Sequence, residues 1–348
     1  MAGGGTAHLR GPDAMLSVEH LVVEFGGGRH RIHAVSDVSL DVAKGETLGL
    51  VGESGCGKST TGRAIAMVRA PTSGKVDLDG IDLTKLDGKA LRSMRTKIQL
   101  IFQDPISSLN PRRKVRDVVA EPLSIWNIGT KSERQAKVAQ MLEAVGIDPV
   151  AAGDRHPVEF SGGQCQRVSI ARALMLEPKL LICDEPVSAL DVSVQAQILN
   201  LLEDLKASMG LTMIFIAHDL AVVKHISDRV AVMYLGKLCE LAPPDVLYHR
   251  PAHPYTEALL ASIPEPDPLR GAHKLPKRLS GELPSPVNPP SGCRFRTRCP
   301  YAQDRCAKEE PQMREVAAGQ FVACHFPVSA PVVMSHAGPA AAGAPQGA

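Results

Sequence analysis

Short apolar runs alternate with longer amphipathic stretches through most of the chain. Apolar positions recur with helical spacing in residues 131–145 and again in residues 193–209. The order of these elements predicts an α/β fold. The apolar runs predict strands that are buried on both faces of a parallel sheet, at residues 47–51, 98–102, 180–183, 212–217 and 229–234.

The N-terminal part of the chain has a different pattern. Residues 16–25 and 34–42 each predict a strand, and residues 76–83 predict a hairpin around an Asp-Gly turn. Residues 105–113 are rich in Pro, Asn and Arg and have no helical or strand period. We therefore expect this last segment to be irregular.

The regular pattern ends near residue 262, and composition divides the chain into four segments. Residues 1–14 are rich in Gly and Ala, and residues 327–348 are rich in Ala, Pro and Gly, so we expect both to be disordered. Residues 15–262 form the predicted α/β domain. Residues 263–326 begin as a proline-rich arm, through 264–290, and end in a small cysteine-bearing module.

Composition excludes several classes of function. The 348 residues carry a net charge of +2, with 39 Lys and Arg against 37 Asp and Glu, and only 3% are aromatic. These values argue against nucleic acid as a ligand, because they give neither a basic surface nor a base-stacking platform. We see no apolar run of membrane-spanning length and no signal peptide. We therefore expect a cytosolic protein that stays soluble unless a partner holds it elsewhere.

The residues that follow the apolar run at 47–51 contain the most specific functional motif of the chain. It has the form G-x-x-x-x-G-K-[ST] before a predicted helix at 61–68, which is the context of a phosphate-binding P-loop. Its glycines let consecutive N–H groups point into one concavity, and the helix adds its positive N-terminal end. Lys58 would reach the β- and γ-phosphates, and the Ser59 hydroxyl would ligate Mg²⁺. The residues expected to bind nucleotide are Gly52, Glu53, Ser54, Gly55, Cys56, Gly57, Lys58, Ser59 and Thr60.

Two further motifs extend this site. Asp184 and Glu185 end the apolar run at 180–183; Asp184 would hold Mg²⁺ through water, and Glu185 would polarise the attacking water. Acidic strand ends are common, but the earlier P-loop favours the catalytic interpretation.

A second anion site is predicted before residue 184, where a helix N-cap and two glycines expose backbone N–H groups. Its residues are Ser161, Gly162, Gly163 and Gln164, which we call the signature segment.

These motifs together resemble the ATPase subunit of an ABC transporter over residues 16–260. The match also includes Gln103 after its strand, the sequence 188–191 and His218. The resemblance implies a P-loop NTPase fold of the ABC ATPase type. Such a fold has a parallel-sheet core, an antiparallel β subdomain and a helical subdomain that carries the signature segment.

The resemblance also implies a role for individual side chains. Gln103 would contact Mg²⁺ and the attacking water, so that Ser59, Gln103 and Asp184 would surround the metal. His218 would hydrogen-bond the γ-phosphate, although taken alone it fits an ordinary capping residue equally well. Asp191 would lie across a dimer interface between two such chains. Phe25 would stack on adenine, at a position where the family often has Tyr.

Further motifs are similar to importers of oligopeptides, dipeptides and nickel. Phe160 precedes the signature segment, as is usual in one of the two ATPase subunits of oligopeptide importers, and residues 253–256 and 292–295 match the same branch. The resemblance implies an ATPase at the cytoplasmic face of a cell membrane that powers the uptake of oligopeptides or dipeptides. Its partners would be a second, related ATPase chain, two permeases and, indirectly, an external binding protein.

Other functions stay open at this level. The same chemistry serves importers of nickel or other small solutes, and it serves exporters. A soluble ABC ATPase acting on DNA or ribosomes is disfavoured, because the chain has no long coiled-coil insertion, no second cassette and a flat charge balance. The cysteine-bearing module suggests a stand-alone metal or redox sensor as a further rival.

Half of the eight cysteines cluster near the C-terminus, and we call Cys293, Cys299, Cys306 and Cys324 the thiol cluster. Their spacing lacks the C-x-x-C pairs of most structural zinc sites, and a disulfide frame is not expected in the cytosol. Four thiolates suit a [4Fe–4S] cluster, which the resemblance implies for some peptide importers. Zinc, with His325 as a substitute ligand, and four reduced thiols without metal are the alternatives. A cluster's negative charge would be offset by Arg294, Arg296, Arg298 and Arg305.

Overall fold

A computed structural model describes residues 5–11, 14–262 and 281–328. The predicted proline-rich arm and C-terminal tail lie largely outside these residues. The described strands are β1 (Ala14–Phe25), β2 (Ile32–Ala43), β3 (Thr47–Val51), β4 (Ser73–Leu78), β5 (Ile81–Asp82), β6 (Ile98–Ile101), β7 (Leu180–Asp184), β8 (Thr212–Ala217), β9 (Arg229–Tyr234), β10 (Lys237–Ala242), β11 (Arg314–Ala317) and β12 (Gln320–Val322). The described helices are α1 (Lys58–Ile65), α2 (Gly88–Met94), α3 (Pro105–Ser108), α4 (Val115–Ile125), α5 (Lys131–Ala144), α6 (Pro149–Ala152), α7 (Gly162–Leu174), α8 (Val192–Met209), α9 (Leu220–Ile226), α10 (Pro244–His249), α11 (Pro254–Ala261) and α12 (Asp304–Lys308).

The larger sheet forms the centre of the fold, with the strand order β11-β12-β10-β9-β3-β8-β7-β6. Its strands from β9 to β6 are parallel, as their uninterrupted apolar sequences predict. Strand β8 shows why the runs are uninterrupted: Met213 and Phe215 pack into the apolar cluster on one face, and Ile214 and Ile216 pack into the cluster on the other. Both faces of this sheet are therefore covered.

Different layers cover the two faces. On one face, apolar residues of α4, α5, α7 and α8 pack together against the sheet. On the other face lie α1 and the smaller sheet, whose strand order is β2-β1-β4-β5 and whose pairs are antiparallel. The predicted hairpin corresponds to β4 and β5. This arrangement confirms the predicted combination of a parallel-sheet core, an antiparallel β subdomain and a helical subdomain.

The C-terminal residues do not form the separate cysteine module that the sequence suggests. β12 pairs antiparallel with β10, with Glu240 opposite Val322, so β11 and β12 extend the main sheet. Val322 and Cys324 are buried together with Ala252. The separate module is therefore not supported, because Phe295 belongs to one apolar core cluster of the ATPase domain, and Met313 and Ala323 belong to the other.

Two local features also differ from the sequence-based expectations. Residues 5–11, within the stretch expected to be disordered, contact β2: His8 is 2% exposed, and its ring lies 2.6 Å from the Ser39 carbonyl oxygen. The predicted irregular segment contains the short helix α3, which begins at Pro105, so the prediction was wrong there. The Asp104 carboxylate caps this helix by accepting the N–H groups of Ile106 and Ser107.

Among the residues that the structure describes, no helix is both long enough and apolar enough to cross a membrane.

Candidate nucleotide-binding site

The P-loop follows β3 and leads into α1. Gly52 has a φ of 151°, and a Cβ atom there would lie 2.1 Å from the Met233 carbonyl oxygen. Gly57, the N-cap of α1, has a φ of 108° and an equally close approach, 2.3 Å, to the Ala34 carbonyl oxygen. Since L-residues rarely adopt such dihedrals and no side chain fits, both positions require glycine. The loop can therefore curl tightly above the end of β3.

Lys58 places its positive charge inside this loop. The residue is 4% exposed, and its Nζ donates hydrogen bonds to the carbonyl oxygens of Gly52 at 2.7 Å and Glu53 at 3.1 Å. The amine is thus held at the centre of the loop, where a polyphosphate would lie in a P-loop protein.

Ser59 and Asp184 lie side by side. The Ser59 Oγ donates to Asp184 Oδ1 at 2.6 Å, and Asp184 is 1% exposed at the end of β7. An Arg63 guanidinium nitrogen lies 3.4 Å from Asp184 Oδ2. Hydroxyl and carboxylate oxygens are the donors that Mg²⁺ prefers, so this pair fits the predicted metal. Sequence reasoning missed Arg63, although its position one helical turn after Ser59 places both on one face of α1.

Glu185 lies next to Gln103 and His218. The Gln103 Nε2 donates to Glu185 Oε2 at 2.8 Å, and the His218 Nδ1 lies 3.6 Å from the same oxygen. Glu185 has a φ of 50°, which is strained for a non-glycine residue, while its backbone N–H donates to the Ile216 carbonyl oxygen at 3.0 Å. Such strain is typical of functional sites. Glu185 and His218 also line one pocket, together with Ser188.

Topology explains why these motifs meet. The P-loop follows β3, Gln103 follows β6, Asp184 and Glu185 end β7, and His218 follows β8. These four strands are parallel neighbours, so their carboxyl ends lie at one edge of the sheet. Ligands of open α/β sheets bind at that edge. The structure therefore brings together the motifs that the sequence places far apart.

The signature segment forms the N-terminus of α7. The Ser161 Oγ accepts the Gln164 N–H, and the Gln164 Oε1 accepts the Ser161 N–H at 3.0 Å, which is a reciprocal capping box. The predicted N-cap role of Ser161 is confirmed. Gly163 has no space for a side chain, since a Cβ atom would lie 2.5 Å from Val194. These hydrogen bonds are local and do not connect the signature segment to the P-loop.

Asp191 and Phe25 have well-defined surroundings of their own. Asp191 is the N-cap of α8: its Oδ1 accepts from the Ser193 hydroxyl at 2.7 Å and from the Val194 N–H at 3.0 Å. These hydrogen bonds, the Ser193 one first, lower the pKa of Asp191. The Arg69 guanidinium lies 3.9 Å from the centroid of the Phe25 ring and covers one of its faces.

The thiol cluster is brought together, but the structure does not support a metal centre there. All four cysteines line one small cavity with His253 and His325. Among the described residues, however, no group of three or more His, Cys, Asp or Glu is arranged to hold a metal ion. Burial raises the pKa of Cys293 to about 11 and that of Cys324 to about 12, so these thiols are protonated in the metal-free protein. All eight cysteines are free thiols.

The arginines near the thiol cluster bind other groups. Arg294 donates to the Ser36 hydroxyl at 2.9 Å, and Arg296 donates to the Ser291 carbonyl oxygen at 2.9 Å. Arg305 pairs with Glu309, and Arg298 pairs with Glu53 of the P-loop. These four arginines therefore bond to other protein groups and do not have the predicted role of offsetting the charge of a metal cluster.

Comparisons with known proteins agree with this geometry. Residues 35–188 match the family model described as ABC transporter, and residues 239–306 match the model described as the C-terminal region of oligopeptide/dipeptide transporters. The chain is 53% identical to the putative oligopeptide transport ATP-binding protein YkfD of Bacillus subtilis (strain 168), covering 90% of this chain and 95% of the relative. It is 54% identical to the oligopeptide transport ATP-binding protein AppF of the same organism, covering 85% of this chain and 90% of AppF.

A solved structure shows the same fold. The dimeric structure of MJ0796, described as a bacterial ABC transporter cassette, superposes with a TM-score of 0.61 at 30% sequence identity. The superposition covers 66% of this chain and 99% of the cassette. The part shared with a complete cassette thus accounts for about two thirds of the chain.

Proposed function

Because the chain belongs to the ATP-binding subunits of oligopeptide and dipeptide ABC transporters, we propose that it hydrolyses ATP to power peptide uptake through a membrane importer. The observation that carries this proposal is the convergence of five side chains at one sheet edge. A buried lysine, a hydroxyl–carboxylate pair and an amide–carboxylate pair are the groups that phosphoryl transfer to water requires. They are Lys58, Ser59, Asp184, Gln103 and Glu185.

Within this proposal the P-loop binds the polyphosphate. Residues 52–60 surround the phosphates with backbone N–H groups, and Lys58 neutralises charge on the β- and γ-phosphates. Ser59, Asp184 and Gln103 would hold Mg²⁺, which when bound offsets the negative charge of the transferred phosphoryl group. The oxygen donors of Ser59 and Asp184, 2.6 Å apart, suit that ion.

Glu185 acts as the general base. Its carboxylate would take a proton from the water that attacks the γ-phosphorus. The Gln103 amide donates to Glu185 Oε2 and so fixes the orientation of the carboxylate. His218, 3.6 Å from the same oxygen, would hydrogen-bond the γ-phosphate from the neighbouring strand end. Phe25 would stack on adenine.

The signature segment serves a nucleotide held by a second chain. Two glycines at the start of the 13-residue helix α7 present backbone N–H groups to an anion, and no lysine accompanies them. Facing a second ATPase chain head to tail, Ser161–Gln164 would contact that chain's nucleotide, with Asp191 at the interface. We propose a related chain as this partner, so that the importer contains two different ATPases.

We propose that the dimer binds two permeases at the cytoplasmic face of the cell membrane, and that an external binding protein is the further partner of this importer. The decisive experiment reconstitutes the chain with the permeases and binding protein encoded beside its gene. Peptide-stimulated ATP hydrolysis and peptide uptake are expected, and Lys58→Ala should abolish both. Uptake of nickel or another small solute without peptide would favour the alternative importer. Co-purification with ribosomes or DNA in place of permeases would contradict a transport function.

The four cysteines of the thiol cluster line one cavity, so we propose that they act as one site with a structural or regulatory role outside ATP hydrolysis. The three alternatives that the sequence left open for this site differ in their content of iron, sulfide and zinc. Anaerobic purification followed by iron, sulfide and zinc analysis separates a cluster, a zinc ion and four reduced thiols. Cys299→Ser is the test variant, since it should release any metal that the site holds, and Cys165→Ser, at a buried thiol elsewhere, is its control.

A further inference from the structure

The C-terminal part of the chain makes direct contact with the P-loop. The Arg298 guanidinium donates two roughly parallel hydrogen bonds to the Glu53 carboxylate, from Nη1 to Oε2 at 2.7 Å and from Nη2 to Oε1 at 3.0 Å. The two residues are 245 positions apart in the sequence, and Arg298 is only 8% exposed. A bidentate pair of this kind fixes both the charge and the orientation of the carboxylate.

Glu53 puts a negative charge next to a loop that would bind a polyanion. It lies in the P-loop between Gly52 and Ser54, so its carboxylate is close to the loop that would bind a polyphosphate. Its backbone is also committed: the N–H donates to the Tyr255 hydroxyl at 2.9 Å, and the carbonyl oxygen accepts from Lys58. An unpaired carboxylate here would repel ATP and compete for Lys58. Arg298 holds it on the side of the C-terminal segment instead.

The position of Arg298 is itself well defined. Its backbone N–H donates to the Phe295 carbonyl oxygen at 2.9 Å, which closes a turn. Phe295 is 1% exposed, and its ring packs edge-on against Tyr234 with centroids 5.2 Å apart and lies 5.3 Å from the Tyr255 ring. This aromatic cluster anchors the turn against β9 and α11. The guanidinium is therefore presented to Glu53 from a rigid support.

We propose that Arg298 is a positioning residue for the nucleotide site, which neutralises Glu53 and holds it away from the phosphates of ATP. This inference rests on the proposed binding of ATP at the P-loop. Through Arg298, the C-terminal residues 281–328 would contribute to the nucleotide site in addition to extending the main sheet. A conformational change in the C-terminal segment would then alter the P-loop through the Arg298–Glu53 ion pair.

The test is a double-mutant cycle on the full chain, read out as the Kd for ATP by fluorescence of a labelled ATP analogue. Arg298→Gln is expected to weaken ATP binding by about tenfold, because an unpaired carboxylate then faces the phosphates. In a Glu53→Gln background, the same Arg298 change should cost less than about twofold. Arg296→Gln is the matched control, since Arg296 bonds only within its own segment in the interactions described above.

Two results of this double-mutant cycle would overturn the inference. An equal loss of affinity in both backgrounds would mean that Arg298 supports the fold and not the charge of Glu53, and no loss in either would also overturn the inference. If Arg298→Gln does not fold, Arg298→Lys keeps the charge and should show a loss of about threefold that again disappears with Glu53→Gln. Wild-type affinity in Lys58→Ala would instead contradict the P-loop proposal itself.

Discussion

The side-chain amide of Gln103 donates a 2.8 Å hydrogen bond to the carboxylate of Glu185, across 82 positions of sequence. Gln103 lies two residues after β6 and Glu185 lies one residue after β7, and these strands form a parallel pair, so the sheet register sets their distance. The bond occupies one side of Oε2 and leaves the rest of the carboxylate available to a water molecule.

The first prediction concerns the proton acceptor. Glu185→Gln keeps the size of the side chain but removes its ability to take a proton. ATP hydrolysis should fall by roughly 10²–10⁴-fold, the usual contribution of a general base, while ATP binding persists and the ATP-bound dimer accumulates. Single-turnover hydrolysis and gel filtration with ATP measure the two effects. Glu203→Gln, at an exposed position of α8, is the control and should hydrolyse ATP normally.

A second active site complicates the assay in a heterodimer. If hydrolysis persists in Glu185→Gln, the same change must be made at the corresponding glutamate of the partner. Persistent hydrolysis with both residues changed would reject the base assignment.

The second prediction concerns the buried lysine. Lys58→Ala removes the charge that lies inside the P-loop, so ATP binding should weaken and hydrolysis should be lost. The fold should survive, because the hydrogen bonds of the Nζ to other described residues all lie within the P-loop, to the carbonyl oxygens of Gly52 and Glu53 and the thiol of Cys56. Circular dichroism and ATP titration check both parts of this statement. Lys44→Ala, at an exposed position, is the control. Turnover close to that of the wild type in the assembled transporter would remove the basis of the P-loop assignment.

The sequence was most informative where one motif lies on one element. The P-loop, the buried strands and the N-cap Ser161 are local patterns, and the structure places them as predicted. Contacts between distant segments left no such signal. Nothing in the sequence around Arg298 indicates that Glu53 is its partner, and nothing in residues 314–322 indicates that β12 pairs with β10. Non-local pairing depends on the whole core, which single motifs do not encode.

Short helices were also hard to predict. α3 has four residues and begins at a proline, so its sequence reads as a turn, yet the Asp104 side chain caps it with two hydrogen bonds. The helix α4 contains Pro122 at its eighth position, which obscures its helical pattern. Packing of Val118 and Val119 into the core stabilises α4 despite that proline.

The third prediction concerns the surface after Gln103. Ile106 on α3 is 57% exposed, and residues 104–115 form the segment that would receive a short cytoplasmic helix of a permease. In the assembled transporter, a cysteine placed at Ser107 or Arg113 should therefore form crosslinks to a permease. A cysteine placed at Ser93 on α2 is the control, because that exposed position lies on another element. Crosslinks from Ser107 to the partner ATPase alone would count against this docking surface.

The last prediction concerns pH and the buried ring of His253. His253 is 1% exposed, its Nδ1 accepts the Tyr255 N–H at 3.0 Å as the N-cap of α11, and burial lowers its pKa to about 3. In the unfolded chain a histidine takes up a proton below about pH 6.5, so the unfolded state binds more protons than the folded state between that pH and the folded pKa. Acidification must then reduce the free energy of unfolding, by about 2 kcal/mol between pH 8 and pH 5 from this residue alone.

His253→Asn keeps an N-cap acceptor without a titrating ring, so urea unfolding should show that it loses about 2 kcal/mol less than the wild type over this range. His225→Asn, at an exposed position of α9, is the control. Equal losses in the wild type and His253→Asn would show that His253 does not cause the acid sensitivity.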